Sequence, residues 1–238
     1  MQVIDVHSHA HLLPCLKGRL PDAIVCCGTC PSDWQQVLHW CAGHRGAHAM
    51  YGVHPWCAAQ YGLDALAGLR ERLAADSAAG VGEIGLHYGQ SCKNRAQQEV
   101  CFREQLRLGY EWQRSIAIHC VGAWGLLLEC LGAYDLTGGR LLVHAFGGSL
   151  EVARELVRRG VYLSLSPALD VSRQARLATE LDGNYLLVES DAGGQPDADS
   201  YDRGVLVRRI EQLAHWRGET PDAVAAQVYA NSLRFLHG

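Results

Sequence analysis

Short runs of Val, Ile and Leu recur from one end of this chain to the other, and each gives way to a stretch in which apolar residues return every three or four positions. The runs cover residues 3–9, 23–27, 49–54, 80–86, 116–120, 141–145, 162–166 and 185–190. Near-continuous apolar strands of this kind are buried on both faces, which is the habit of a parallel sheet covered by crossover helices. Eight of them favour closure, so the expected fold is α/β, a (β/α)₈ TIM barrel. The helices are legible in Leu63, Leu66, Leu69 and Leu73, and again in Leu126, Leu127 and Leu131. Thr220-Pro221-Asp222 supplies a cap, a proline at the first helical position and an early acid, so a last helix should run to about Phe235. At 238 residues, with no repeat or linker, residues 1–238 are expected to form one domain. The stretch 191–202 is too rich in Gly and Asp for regular structure and reads as a loop over the site.

Charge then limits the partners. A formal net charge of −4 creates no field that would draw the chain onto nucleic acid or an anionic membrane, so phosphate recognition has to be local. The N-terminus, Met-Gln-Val-Ile-Asp-Val-His, has neither the basic start of a signal peptide nor a membrane-length apolar run, and a cytoplasmic location without membrane association is expected. The 10 cysteines show no paired framework and read as reduced thiols, with Cys27 and Cys30 as packed residues rather than a redox or zinc pair.

His7 and His9 lie two apart on the first expected strand and therefore point to the same side, the barrel interior. Asp5 has the same parity and is expected to orient a ligating imidazole. Glu83, His119, His144 and Asp191 fall at the C-terminal ends of the fourth, fifth, sixth and eighth expected strands, where barrel enzymes place their chemistry. Six metal-competent side chains converging on one rim would be costly to bury without a cation. They exceed what one tetrahedral zinc needs, and a mixed carboxylate and imidazole set suits two divalent ions sharing a carboxylate and a water, with Glu83 as the candidate bridge.

At these residues the chain resembles the TatD family of metal-dependent hydrolases, amidohydrolase-like barrels that include metal-dependent DNases. The resemblance is carried by Ile4-Asp5-Val6-His7-Ser8-His9, Tyr51-Gly52-Val53-His54-Pro55-Trp56, Gly82-Glu83-Ile84-Gly85-Leu86, the helix residues Gln98, Phe102, Gln105 and Leu106, then Ile118-His119, His144-Ala145-Phe146-Gly147-Gly148-Ser149, Glu189-Ser190-Asp191, and finally Asn231 and Phe235. It implies that His7, His9, Glu83 and Asp191 hold one metal, that Glu83, His119 and His144 hold the other, and that His54 contacts a substrate phosphate. The family usually has aspartate at His87, arginine at Val121, and proline soon after the metal aspartate, where Gly193 and Gly194 stand here. Loss of the arginine removes a bidentate phosphate donor. His87, Lys93 and Arg95 are the candidate substrate contacts in its place.

The resulting expectation is a metal-dependent phosphoesterase or deoxyribonuclease, 3′-5′ exonuclease-like, that uses water activated by two divalent ions (Zn²⁺, Mn²⁺ or Mg²⁺), with Glu83 and Asp191 as catalytic groups. Its expected partner is a DNA or nucleotide end, single-stranded, because end recognition needs few backbone contacts. Trp56, Tyr88 and Trp124 are the aromatic residues near the expected rim on which a base could stack. The first alternative is hydrolysis of a small phosphoester, amide or lactone on the same scaffold, which Val121 and the glycine pair favour. The second is an accessory subunit of a defence or quality-control complex.

Overall fold

In the computed structural model, residues 1–15, 19–89, 92–136, 138–165, 169–194 and 200–238 are described. Eight parallel strands hydrogen-bond in chain order: β1 (Ile4–Ser8), β2 (Ala23–Cys27), β3 (Ala47–Tyr51), β4 (Gly80–His87), β5 (Ile116–Val121), β6 (Leu141–Phe146), β7 (Tyr162–Leu165) and β8 (Leu186–Leu187). Around them run α1 (Trp34–Gly43), α2 (Ala58–Tyr61), α3 (Ala65–Ala75), α4 (Arg95–Glu111), α5 (Trp124–Leu131), α6 (Leu150–Arg158), α7 (Val171–Glu180), α8 (Gly204–Arg217) and α9 (Pro221–His237). This is the (β/α)₈ architecture expected from the alternation of apolar runs and helical spacing. Helix α9 starts as its cap signals, with Pro221 in its first turn and the Thr220 hydroxyl accepting from Ala223 N–H. The barrel interior is filled by Ile4, Val6, Val25, Met50, Ala117, Leu142, Tyr162 and Leu187, with Phe235 of α9 packed among them. Among the described residues, no helix is long and apolar enough to cross a membrane.

Two strands end elsewhere than their apolar runs suggest, and buried polar side chains are the reason. β3 stops at Tyr51 rather than running to His54. The Gly52 carbonyl accepts from the Trp34 indole at 3.0 Å, while the Gln105 amide of α4 accepts from Val53 N–H at 2.7 Å and donates to its carbonyl at 3.2 Å. With its backbone groups taken by side chains, the strand leaves the ladder early. At the other end of the barrel, Gly183–Tyr185 is a 3₁₀ turn and the regular ladder of β8 spans only Leu186 and Leu187. Residue 166, expected at the end of β7, and residues 195–199 of the expected loop lie outside the described residues.

The seam between β8 and β1 closes by a different device. Val6 N–H reaches the Val188 carbonyl at 3.4 Å and Asp191 N–H reaches the His7 carbonyl at 3.1 Å. Between them the partner is a side chain. The buried Asp5 carboxylate accepts from Ser190 N–H at 2.9 Å, Ser190 Oγ at 2.6 Å, Tyr201 OH at 2.8 Å and His7 N–H at 3.4 Å. Asp5 therefore does not orient an imidazole, as its parity suggests, but staples the last strand to the first. Asp5→Ala should strand several buried donors and lower stability by about 3 kcal/mol, read as a lower urea midpoint at unchanged slope.

Candidate metal centre

Each strand that reaches the mouth of the barrel brings one or two polar side chains to it, and α4 fixes two of the connecting segments. Gln105 holds the backbone of Val53, one residue before His54. Gln98 accepts from His87 N–H at 2.7 Å and donates to its carbonyl at 3.2 Å. These two amides give a physical role to helix residues that the sequence marks only by resemblance. Gly85 has φ +152° and packs so closely on β5 that a Cβ would collide with the His119 carbonyl, so only glycine lets β4 and β5 approach here.

Glu83 is the hub. It lies midway along β4, not at the strand's end, and its side chain is 3 % exposed. Its Oε1 is 2.8 Å from His144 Nε2, 2.9 Å from His119 Nδ1 and 3.4 Å from His54 Nε2. Its Oε2 is 3.2 Å from His9 Nε2 and 3.6 Å from His7 Nε2. Asp191 adds its Oδ1 at 3.9 Å from His7 Nε2 and 3.8 Å from His9 Nε2. The structure thus brings His7, His9, Glu83, His119, His144 and Asp191 together, with His54 beside them. All of them except the fully buried His7 line a cavity of about 270 Å³ whose wall also includes Trp56, Leu12, Gly193 and Gly194.

Burial on its own would neutralise all these groups, and the cluster's internal charges decide which ones escape that. Burial pushes the Glu83 carboxyl up, but His54 and His144 and the hydrogen bonds from His119 and His144 hold it well below the usual range. Against the same cost of burial, Glu83 drives His144 well up and pushes His9 up to about 9. Burial wins at His119, which falls to about 4, and it also lowers His7.

The donor set fits a divalent cation, and the hydrogen bonds behind the rings show why. His7 Nε2 is fully buried and has no hydrogen-bond partner, although it points at the Glu83 and Asp191 carboxylates. A buried nitrogen left so is costly unless something else takes its lone pair. His9 Nδ1 lies 2.8 Å from the Cys27 carbonyl, which can only accept, so that nitrogen carries the proton and Nε2 offers its lone pair to the centre. His144 also turns Nε2 to the centre, while its buried Nδ1 has Glu189 Oε1 at 3.5 Å but no hydrogen bond. His54 differs: its Nδ1 accepts from Trp56 N–H at 3.2 Å, so its Nε2 carries a proton and is a donor into the cavity rather than a ligand.

Glu189 is the residue that reading the sequence for function passes over. It is buried, accepts from Ala145 N–H at 2.9 Å and from Ser164 Oγ at 2.6 Å, and faces His144. Its sign was present in the chain: Glu189 and Asp191 are two apart, the same spacing that separates His7 from His9. Asp191 has φ +50° and Gly193 has φ +86°, and a Cβ on Gly193 would collide with the His9 carbonyl. That left-handed turn excludes proline at 193, which accounts for one departure from the family pattern.

The expected substrate contacts divide. His54 lines the cavity, whereas Lys93 and Arg95 do not. Lys93 is exposed, and the Arg95 guanidinium lies over the Tyr88 ring at 4.7 Å, which also covers that aromatic face. His87 is outside the cavity wall, its ring turned onto His119. Trp124 packs on Phe146, ring centroids 5.0 Å apart, while Trp56 stands 69 % exposed at the rim. Cys27 Sγ rests 3.5 Å from His7 Nδ1 and Cys30 Sγ 3.0 Å from Ser32 Oγ, each packed apart from the other.

A family model described as TatD-related DNase matches residues 4–237. The chain belongs to this family. Among TatD relatives, a 3′-5′ ssDNA/RNA exonuclease TatD of Cronobacter sakazakii is 30% identical over 223 residues, spanning 88% of this chain and 84% of its own length. One from a Rahnella species is 31% identical over 191 residues, 73% of this chain and 71% of the relative. The crystal structure of the TatD homologue YJJV from Escherichia coli K12 superposes with a TM-score of 0.80 at 22% identity, over 98% of this chain and 97% of the other. A TatD-family hydrolase from Entamoeba histolytica gives 0.80 at 17% identity over the same shares, which adds to the likeness of fold. As a TatD-family protein, the chain is a metal-dependent hydrolase of ester bonds.

Proposed function

We propose that this hydrolase shortens single-stranded nucleic acid from its 3′ end with two divalent ions, one held by His7, His9, Glu83 and Asp191 and the other by Glu83, His119 and His144. The observation that carries this reading is Glu83, a buried carboxylate within 3.6 Å of five imidazoles at the base of a cavity. It is supported by relatives named as 3′-5′ ssDNA/RNA exonucleases. Divalent ions bound there supply positive charge to the phosphate oxygens and make water acidic enough to act near neutral pH.

The protein's own groups do the rest. His54 Nε2–H, facing the cavity, donates to a non-bridging phosphate oxygen. Asp191 is a quarter exposed and turns Oδ1 toward His7 and His9, which leaves Oδ2 to accept the proton of the attacking water. Glu189 holds His144 in place from behind. About 270 Å³ suits one terminal unit of a strand rather than a duplex, and the acidic balance of the chain agrees with an enzyme that grips an end. Trp56 rests its edge against His54, centroids 4.7 Å apart, and leaves its ring open for the terminal base.

The test is a 5′-labelled single-stranded oligonucleotide incubated with the protein and Mn²⁺. A ladder that shortens from the 3′ end, and is stopped by a 3′-terminal phosphorothioate, is the expected result. Val121, 40 % exposed where the family pattern has arginine, favours a second reading in which the substrate is a small ester. An intact oligonucleotide beside rapid hydrolysis of a simple phosphodiester or a lactone would establish that reading instead.

A further inference from the structure

We propose that His87 is a positioning residue: when an ion displaces the hydrogen bond between His119 Nδ1 and Glu83, His87 Nδ1 accepts the Nε2 proton of His119 and so holds His119 Nδ1 open as a lone pair toward the centre. The inference rests on the reading of His119 as a metal ligand. His87 Nδ1 and His119 Nε2 are 2.9 Å apart, with the rings within 17° of parallel. On its other side His119 Nδ1 faces Glu83 Oε1 at 2.9 Å and His144 Nε2 at 3.3 Å. An imidazole whose Nδ1 takes a cation must carry its proton on Nε2, and that proton needs an acceptor in a buried setting. His87 Nδ1 stands at hydrogen-bond distance to be that acceptor.

The surroundings of His87 are built for this duty. Gln98 binds both its backbone N–H and its carbonyl, the following Tyr88 N–H reaches the Val121 carbonyl at 2.8 Å, and Trp56 meets the imidazole edge to face with centroids 5.5 Å apart. Backbone and ring are both restrained, as the support of a ligand requires. His87 and Val121 are also register partners across β4 and β5. The two places where the sequence departs from the family's aspartate and arginine are therefore one local change. It removes two charges from the rim and leaves a neutral imidazole to serve His119. This role replaces the phosphate contact expected of His87 from sequence.

The test uses metal-free protein titrated with Mn²⁺ and Zn²⁺ against a chromophoric chelator, comparing wild type with His87→Ala, His87→Asn and His87→Gln. The Asn side-chain oxygen sits one bond beyond Cγ, where the His Nδ1 sits, and the Gln oxygen lies one bond further out. His87→Ala and His87→Gln should weaken ion binding by about 10- to 100-fold, while His87→Asn stays close to wild type. Thermal unfolding of each metal-free variant reports folding. If the Ala protein does not fold, the Asn and Gln pair decides alone. Wild-type affinity in His87→Ala, or equal losses in Asn and Gln, would overturn the positioning role and leave the reading of the centre standing. Failure of the wild type to bind either ion would overturn that reading, and the positioning role with it.

Discussion

Glu83→Gln is expected to lower kcat/KM on any substrate of this protein by at least about a thousandfold, which is about 4 kcal/mol of lost transition-state stabilisation. The change is nearly isosteric, so the loss comes from charge. Glutamine presents an amide N–H₂ where one carboxylate oxygen meets His54, His119 and His144 or the other meets His7 and His9. It cannot be shared by two cations. The metal-free protein should also change, because His9 and His144 owe their protons to Glu83. Breaking a buried charge cluster on one side costs about 3 kcal/mol, read in the urea midpoint without metal. Residual activity within tenfold of wild type would remove Glu83 from the centre of the mechanism.

Ion uptake should release protons and depend steeply on pH. In the metal-free protein His9 is pushed up to about 9, so it carries a proton at pH 7 that must leave before Nε2 can bind a cation. Apparent affinity should therefore climb at least about tenfold per pH unit from pH 7 to pH 9, with the His144 proton, also held by Glu83, adding to the slope. Calorimetry in two buffers of different ionisation enthalpy counts the protons. Stability without metal runs the other way. The folded pKa of His9 lies above the ordinary 6.5, so its contribution, about 3 kcal/mol, is complete below pH 6.5 and is lost as pH rises through 9. An affinity flat across this range would mean that His9 is not a ligand.

The barrel was legible in the chain because strands buried on both faces have to be apolar throughout, and eight such runs leave little choice of topology. The pairing of His7 with His9 was legible for an equally simple reason, the two-residue period of a strand. What could not be read was where strands hand their backbone to side chains. The end of β3 depends on Trp34 and Gln105, which are 18 and 52 residues away from their partners. The shortness of β8 depends on Asp5, 185 residues distant. Parity pairs Asp5 with His7 but says nothing of whether it meets an imidazole or Ser190 and Tyr201, and Asp5 between the interior Ile4 and Val6 turns to those two instead. Lys93 and Arg95 stand off the cavity wall for the opposite reason: exposed charges are free to turn outward, and Arg95 lies over Tyr88.

The closure at Asp5 has a consequence for how the molecule breathes. His7 and Asp191 stand on opposite banks of the one joint where a carboxylate stands in for part of the ladder, and the His7 carbonyl accepts from Asp191 N–H across it. Any parting of the wall at that joint separates the two banks. A cation gripped from both sides would act as a clasp on the barrel's weakest hoop, so loss of the ion and loosening of the wall become a single event.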